Sequence, residues 1–298
     1  MDGLLLVDKP AGWTSHDAVG YVRRALGEKR VGHTGTLDPD ATGLLILLVG
    51  KATRLARFFE SDDKTYHAVM KLGTDTDTQD ASGRVVKECI VPELDRAVVE
   101  AVFARFTGCL TQTPPVYSAI KVDGKPMYKR ARAGETVELK PREITVHSLD
   151  MVSVDGPAVE FVTRCSKGTY VRTLCRDMAE ALGSCGHMQS LRRTAAGCYN
   201  VNGALDLSVR PSGDDAAKLI VPMDEMLPDV ASVTVTERGA RGIRDGRPPL
   251  QEDVVSLTGD ACAGGYMRLL DTTGVLLAVA EAGEDAGQTS RLLVVLAS

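Results

Sequence analysis

VGHTGTLDPDATGLLILLVG, residues 31–50, runs from a turn-rich segment into a continuous apolar one. The run Leu44–Val49 has strand length and is bounded by Gly43 and Gly50, so it reads as a central strand buried on both faces. The glycines ahead of it suggest a phosphate loop. That reading fails, because no Lys stands where Gly-x4-Gly-Lys-Ser/Thr requires one, and no GxGxxG joins a strand to a helix. What remains is Asp38, directly before Pro39. A residue before proline is pushed out of the helical region, so the carboxylate sits on a stiff, extended segment between Gly-rich turns. An isolated Asp-Pro equally starts a plain turn, so the surroundings decide its role; Asp40 reads as a turn residue.

Upstream, GLLLVD is a short buried strand and TSHDAVGYVRRALG a helix, with Thr14 or Ser15 as N-cap, Val19, Val22 and Leu26 on one face, and Gly27 past its end. Downstream, ATRLARFFES reads as helix, TYHAVMKLG as strand, and Glu93–Phe106 as a helix with apolar residues at helical spacing. Asp123-Gly124 marks a hairpin turn, and residues 158–183 give a strand, a Lys167-Gly168 turn and a helix. Strands and helices mix without regular alternation, which predicts an α+β fold. VRPSGDDAA around Val209–Ala217 reads as a linker, and beyond Pro228 short strands with Gly turns suggest a small β-barrel-like domain. The expected division is 1–210 and 228–298.

The 298 residues, 44% hydrophobic and 25% charged, suit a large buried core. No apolar run reaches membrane-spanning length, and the N-terminus lacks a signal-peptide pattern, so a cytoplasmic protein is expected. Seven scattered cysteines without a CxxC pair read as free thiols. The net charge of −5 is uneven: residues 211–298 hold 7 basic and 14 acidic side chains, residues 1–210 hold 28 and 26. Basic residues with interleaved Tyr gather in IKVDGKPMYKRARAG and SKGTYVRTLCRD, a pattern suited to phosphate contact and base stacking. DTDTQDASG, residues 75–83, resembles a calcium loop but has Asp80 where Gly is needed and Val86 where Glu is needed. His and Cys form no ligand-spaced pairs, so no metal is expected.

LLLVDKPAGWTSHD, VGHTGTLDPDATGLLILLVGKATR, KTYHAVMKLGTDTDTQDASG, TQTPPVYSAIKVDGKPMYKRARAGE and SKGTYVRTLCRDMAEALG with LRRTAAG occur in this order, and together the chain resembles the bacterial TruB-type tRNA pseudouridine(55) synthases from residue 3 to about 200. The resemblance implies a catalytic domain of the pseudouridine synthase fold, a mixed, mostly antiparallel sheet with flanking helices, and, more weakly, a C-terminal PUA-type RNA-binding domain; the acidic balance of the latter departs from RNA contact. It implies isomerisation of uridine 55 in the tRNA T-loop without metal or organic cofactor, by a monomer with no obligate protein partner and no membrane. By that resemblance Asp38 is the catalytic carboxylate and Arg172 its cationic partner, while Tyr66 stacks on the flipped uracil and can handle the C5 proton. His33 fills the space the base leaves, and Tyr170 and Leu191 line the pocket. Lys9 and Pro10 match a motif packed beneath the site, Lys9 being counted with the substrate-binding set. Lys121, Lys125, Lys129, Arg130 and Arg132 are expected phosphate contacts. Two other readings use the same basic surface: a non-catalytic tRNA-binding or folding module, which has no need of Asp38, and the guide-RNA-dependent synthases, against which the immediate start at GLLLVDKP speaks.

Overall fold

The computed structural model describes all residues except 60–62, 116–120, 123–124, 127–138, 261–263, 285–286 and 297–298, and the side chains of 121, 122, 125 and 126. In chain order the strands are β1 (Gly3–Lys9), β2 (Val31–Thr34), β3 (Thr42–Val49), β4 (Lys64–Leu72), β5 (Thr74–Thr76), β6 (Val85–Glu88), β7 (Gly108–Gln112), β8 (Lys121–Val122), β9 (Lys125–Pro126), β10 (Arg142–Asp155), β11 (Ala158–Cys165), β12 (Gly186–Ala196), β13 (Tyr199–Asn200), β14 (Leu205–Asp206), β15 (Val221–Pro222), β16 (Ala231–Val235), β17 (Val254–Thr258), β18 (Tyr266–Leu270), β19 (Leu276–Ala282) and β20 (Thr289–Val295). The α-helices are α1 (Ser15–Leu26), α2 (Arg96–Arg105), α3 (Val171–Ala181), α4 (Gly213–Lys218) and α5 (Glu237–Arg244).

The large sheet has the order β14-β1-β3-β12-β4-β11-β10-β7, with β2 added to β3, β13 to β12 and β15 to β1. All its pairs are antiparallel except β1 with β14 and β3 with β12, a mixed and mostly antiparallel sheet as the resemblance implies. The apolar run that opened the reading is central strand β3, buried from Gly43 to Val49. At its start, Gly43 has φ +98°, and a Cβ there would collide with the carbonyl of Arg193, so only glycine lets β3 and β12 approach. Helix α1 begins at a reciprocal capping box between Thr14 and Asp17 and ends on Gly27 at φ 62°. Where ATRLARFFES reads as helix, the structure has a 3-10 helix over Gly50–Phe58.

Two expectations change. The stretch read as a linker contains α4, started by a capping box between Ser212 and Asp215 and packed on α1, while β15 returns to pair with β1. Strands of the first sheet therefore continue past residue 210. The cysteines are also not all free: Cys89 is bonded to Cys185, joining the segment after β6 to the start of β12, while Cys109, Cys165 and Cys175 are free.

The C-terminal sheet has the order β17-β16-β18-β19-β20, with β16 and β18 parallel. Among the described residues β17 and β20 end this path without pairing to each other, so the sheet is open. It packs on the first domain through Leu276, Val279 and Leu296, which share a core with Leu4, Leu44, Leu48 and Phe58. No helix among the described residues is long and apolar enough to cross a membrane.

Candidate active site

Asp38 sits in the loop between β2 and β3, and that loop is fixed from below by buried side chains that bond its backbone. Ser15 Oγ donates to the Leu37 carbonyl at 3.1 Å and accepts from the Leu37 amide at 2.9 Å. Lys9 Nζ reaches the carbonyls of Pro10, Trp13 and Pro39 at 2.9, 2.6 and 3.0 Å. Three protons on three acceptors satisfy the ammonium; burial still pulls its pKa down to about 8, against the carboxylates of Asp40 and Asp38. Arg193, nearly inaccessible, donates to the carbonyls of Leu44 at 2.7 Å and Gly35 at 3.0 Å. Both ends of the loop are thus pinned to one guanidinium.

Above the loop the contacts change from backbone to charge. Arg172, in the first turn of α3, directs Nη2 to Asp38 Oδ2 at 3.1 Å and Nη1 to Asp80 Oδ2 at 3.4 Å. The Arg172 side chain is 7% exposed and that of Asp38 42%, so a buried cation meets a carboxylate that opens to solvent on one side. Loss of solvent on the other sides raises the Asp38 pKa; Arg172 opposes the rise, and Asp80 adds to it. The backbone around Asp80 is sewn to β12, with Ala81 N donating to Met188 O and Met188 N to Gln79 O, both at 3.0 Å. Gln79 holds a left-handed φ of 63°, kept by these bonds and by Thr173 Oγ1 on its side chain at 2.8 Å. Asp80 Oδ1 is taken by Thr78 and Ser82, leaving Oδ2 to face Arg172.

Beside Asp38 lies a cleft of about 460 Å³ lined by His33, Tyr66, Tyr170, Arg172, Leu191 and Arg193, among others. Tyr66 on β4 stands opposite Arg193 on β12, and burial raises its phenol pKa while Arg193 opposes. His33 on β2 meets the ring of His16 edge-on at 5.5 Å; burial lowers its pKa, and its Nδ1 is buried without a partner among the described residues. Tyr170 is the N-cap of α3, held by Gln112, which accepts from its amide at 2.8 Å and donates to its carbonyl at 3.1 Å. Arg172 and Arg142 approach the Tyr170 ring at 5.8 and 5.6 Å.

Six of the residues singled out in the sequence therefore converge: Asp38, Arg172, Tyr66, His33, Tyr170 and Leu191 all line one cleft. Lys9 does not. It is wholly buried under the loop with its protons spent on carbonyls, so grouping it with substrate contacts is corrected to a supporting position. Lys129, Arg130 and Arg132 lie outside the described residues, as do the side chains of Lys121 and Lys125, whose strands β8 and β9 pair antiparallel. Sequence reading missed Asp80 and Arg193. Adjacent Arg192 and Arg193 in a strand must face opposite ways, a signal that one of them turns inward; Arg192 pairs outward with Asp8. Among the described residues no group of three or more His, Cys, Asp or Glu could hold a metal ion.

Residues 23–171 match the family model of the TruB family pseudouridylate synthase N-terminal domain, and residues 172–228 that of the tRNA pseudouridylate synthase B C-terminal domain. A Burkholderia lata protein named tRNA pseudouridine synthase B is 44% identical over 301 residues, spanning 100% of this chain and 92% of its own length. One of the same name from Geobacter sulfurreducens is 43% identical over 285 residues, 94% of this chain and 93% of its own. Among solved structures, a chain in the crystal structure of a Cbf5-Nop10-Gar1 complex is similar with TM-score 0.75 and 22% identity, over 98% of this chain and 83% of that one, a likeness of fold alone.

Proposed function

This chain belongs to the TruB family of pseudouridylate synthases, and on that premise we propose that it isomerises uridine 55 in the T-loop of tRNA to pseudouridine, with Asp38 as the catalytic carboxylate. The observation that carries the assignment is the 3.1 Å pair between Asp38 and buried Arg172 at the wall of a cleft that also holds Tyr66 and His33.

The reaction breaks the C1′–N1 bond of the nucleotide, turns the uracil, joins C1′ to C5, and moves the C5 proton off while N1 gains one. Atoms balance, so no redox partner is required. A carboxylate beside C1′ and C6 stabilises positive charge on the sugar or attacks covalently. Arg172 favours the ionised form of Asp38 that either route needs. A T-loop uridine is stacked, so it must leave the stack to reach this cleft. Tyr66 offers a flat face for the flipped uracil and a hydroxyl for the C5 proton. His33, held neutral by burial, takes the space left in the loop. Tyr170 and Leu191 wall the reacting centre against water.

We extend the proposal to a PUA-type role for residues 228–298 and to a cytoplasmic monomer that needs no protein partner. The test is tritium release from an unmodified T-loop stem-loop labelled at uracil C5. Release by the native chain and none by Asp38→Asn is expected; full release by Asp38→Asn removes Asp38 from the reaction.

A further inference from the structure

A second concavity, about 600 Å³, opens between α1 and the segment after β14, lined by Trp13, Tyr21, Arg24, Arg210, Pro211 and Ser212, among others. Its chemistry differs from a solvated surface. The rings of Trp13 and Tyr21 stand 5.6 Å apart at 54°, partly buried against the core, and Tyr21 is fixed by its hydroxyl on the Pro211 carbonyl at 2.8 Å. Arg24 and Arg210 are both exposed, no acidic residue lines the cleft, and neither makes an ion pair among the described residues. Two guanidiniums in one concavity repel each other unless an anion lies between them. Two cations beside two tilted rings fit one nucleotide: a phosphate on the arginines and a base on an aromatic face.

The position relates this cleft to the active site. The carbonyls of Trp13 and Pro39 are bonded to the same Lys9 Nζ, and Gly12 N donates to Pro39 O at 3.0 Å, so the Trp13 loop abuts the loop that carries Asp38. Arg210 follows β14, which lies two strands from β3, roughly 10 Å along the sheet. We propose that this cleft binds a nucleotide of the substrate RNA a few positions from the isomerised uridine, its phosphate held by Arg24 and Arg210 and its base stacked on Trp13 or Tyr21. The proposal rests on the RNA substrate argued above and adds a subsite for it.

The test measures Kd of the full chain for a fluorescein-labelled T-arm stem-loop across a salt series, beside single-turnover tritium release from the same RNA. For Arg24→Ala/Arg210→Ala, Kd rises about 10-fold and the slope of log Kd against log salt falls by about 1 to 2, while the single-turnover rate at saturating protein stays within about 2-fold of native. Trp13→Ala raises Kd about 10-fold and Trp13→Phe restores most of it; thermal melting of each variant separates this from loss of fold. An unchanged Kd and salt slope in the double arginine variant overturns the subsite alone. An arginine-dependent slope without tritium release by the native chain leaves the subsite standing and overturns the catalytic reading, and no binding by the native chain overturns both.

Discussion

The loop carrying Asp38 has two faces built on opposite principles. Beneath it, Lys9, Ser15 and Arg193 direct their donors at backbone carbonyls. Above it, Arg172 faces two carboxylates and keeps a buried Nε that, like His33 Nδ1, has no partner among the described residues. Satisfied polar groups stiffen a fold, whereas unsatisfied ones cost stability. Stiffness is therefore concentrated under the loop and unspent charge in the cleft, where a substrate can use it. The division predicts that changes above the loop abolish chemistry with the fold kept, and changes below it weaken the fold first.

The sharpest test is Asp38→Asn. Loss of a carboxylate that stabilises or attacks the reacting sugar costs on the order of 1,000-fold or more in turnover. The fold should tolerate it. The Asp38 pKa is raised on folding, so its stability contribution falls as pH rises from the unfolded to the folded pKa and stays at that lower level above it, where the ionised group is unfavourable to the native state. Asn removes this term while Arg172 keeps Asp80, so Tm should stay within about 4 °C of native. A large Tm loss would break the comparison.

Arg172→Met ranks next, with about 100- to 1,000-fold lost from turnover and RNA binding retained. It also removes the largest influence holding the Asp38 pKa down, so the acid limb of the pH–rate profile should move to higher pH.

Below the loop, Lys9→Met leaves three carbonyls without their donor and should cost about 3 kcal/mol, read by denaturant unfolding. The cost should depend on pH with a definite sign. Lys9 titrates at about 8 when folded against 10.5 unfolded, so between those values the unfolded chain binds more protons and the native state gains from rising pH. The stability of native protein relative to Lys9→Met should rise across that window and be flat below it. A flat difference throughout would show that the ammonium carries no burial penalty.

Much of this frame was legible in the sequence, and the gaps have physical reasons. Thr14 and Gly27 mark the ends of α1 in the sequence, and the apolar run marks β3, because caps and continuous hydrophobicity are local signals. Helix α4 carries its own capping box in Ser212 and Asp215, but Pro, Gly and Asp around it read as a linker. Asp38 was visible as a rigid carboxylate, though its role came only with the family resemblance. Asp80 stands out in the sequence only as the residue that breaks a calcium-loop pattern; its partner Arg172 is 92 residues away, and no periodicity encodes that distance. Arg193 was hidden for the same reason, since its acceptors Gly35 and Leu44 lie 158 and 149 residues earlier.

Asp80 also yields the smallest and most discriminating prediction. It acts on Asp38 twice: it holds one end of Arg172, and its negative charge raises the Asp38 pKa. Asp80→Asn keeps an acceptor for Arg172 and removes the charge, so turnover should fall only about 10-fold, the cost of loosening a positioned partner. The acid limb should then move to lower pH, opposite to its shift in Arg172→Met, because one variant removes a like charge from Asp38 and the other an opposite one. Profiles of kcat against pH for the two variants, measured by tritium release, decide the matter. Opposed shifts tie the limb to Asp38 within a charge triad, whereas shifts in the same direction would mean that both variants act by misplacing Arg172, and that the cleft side of the loop depends on geometry as fully as the side beneath it.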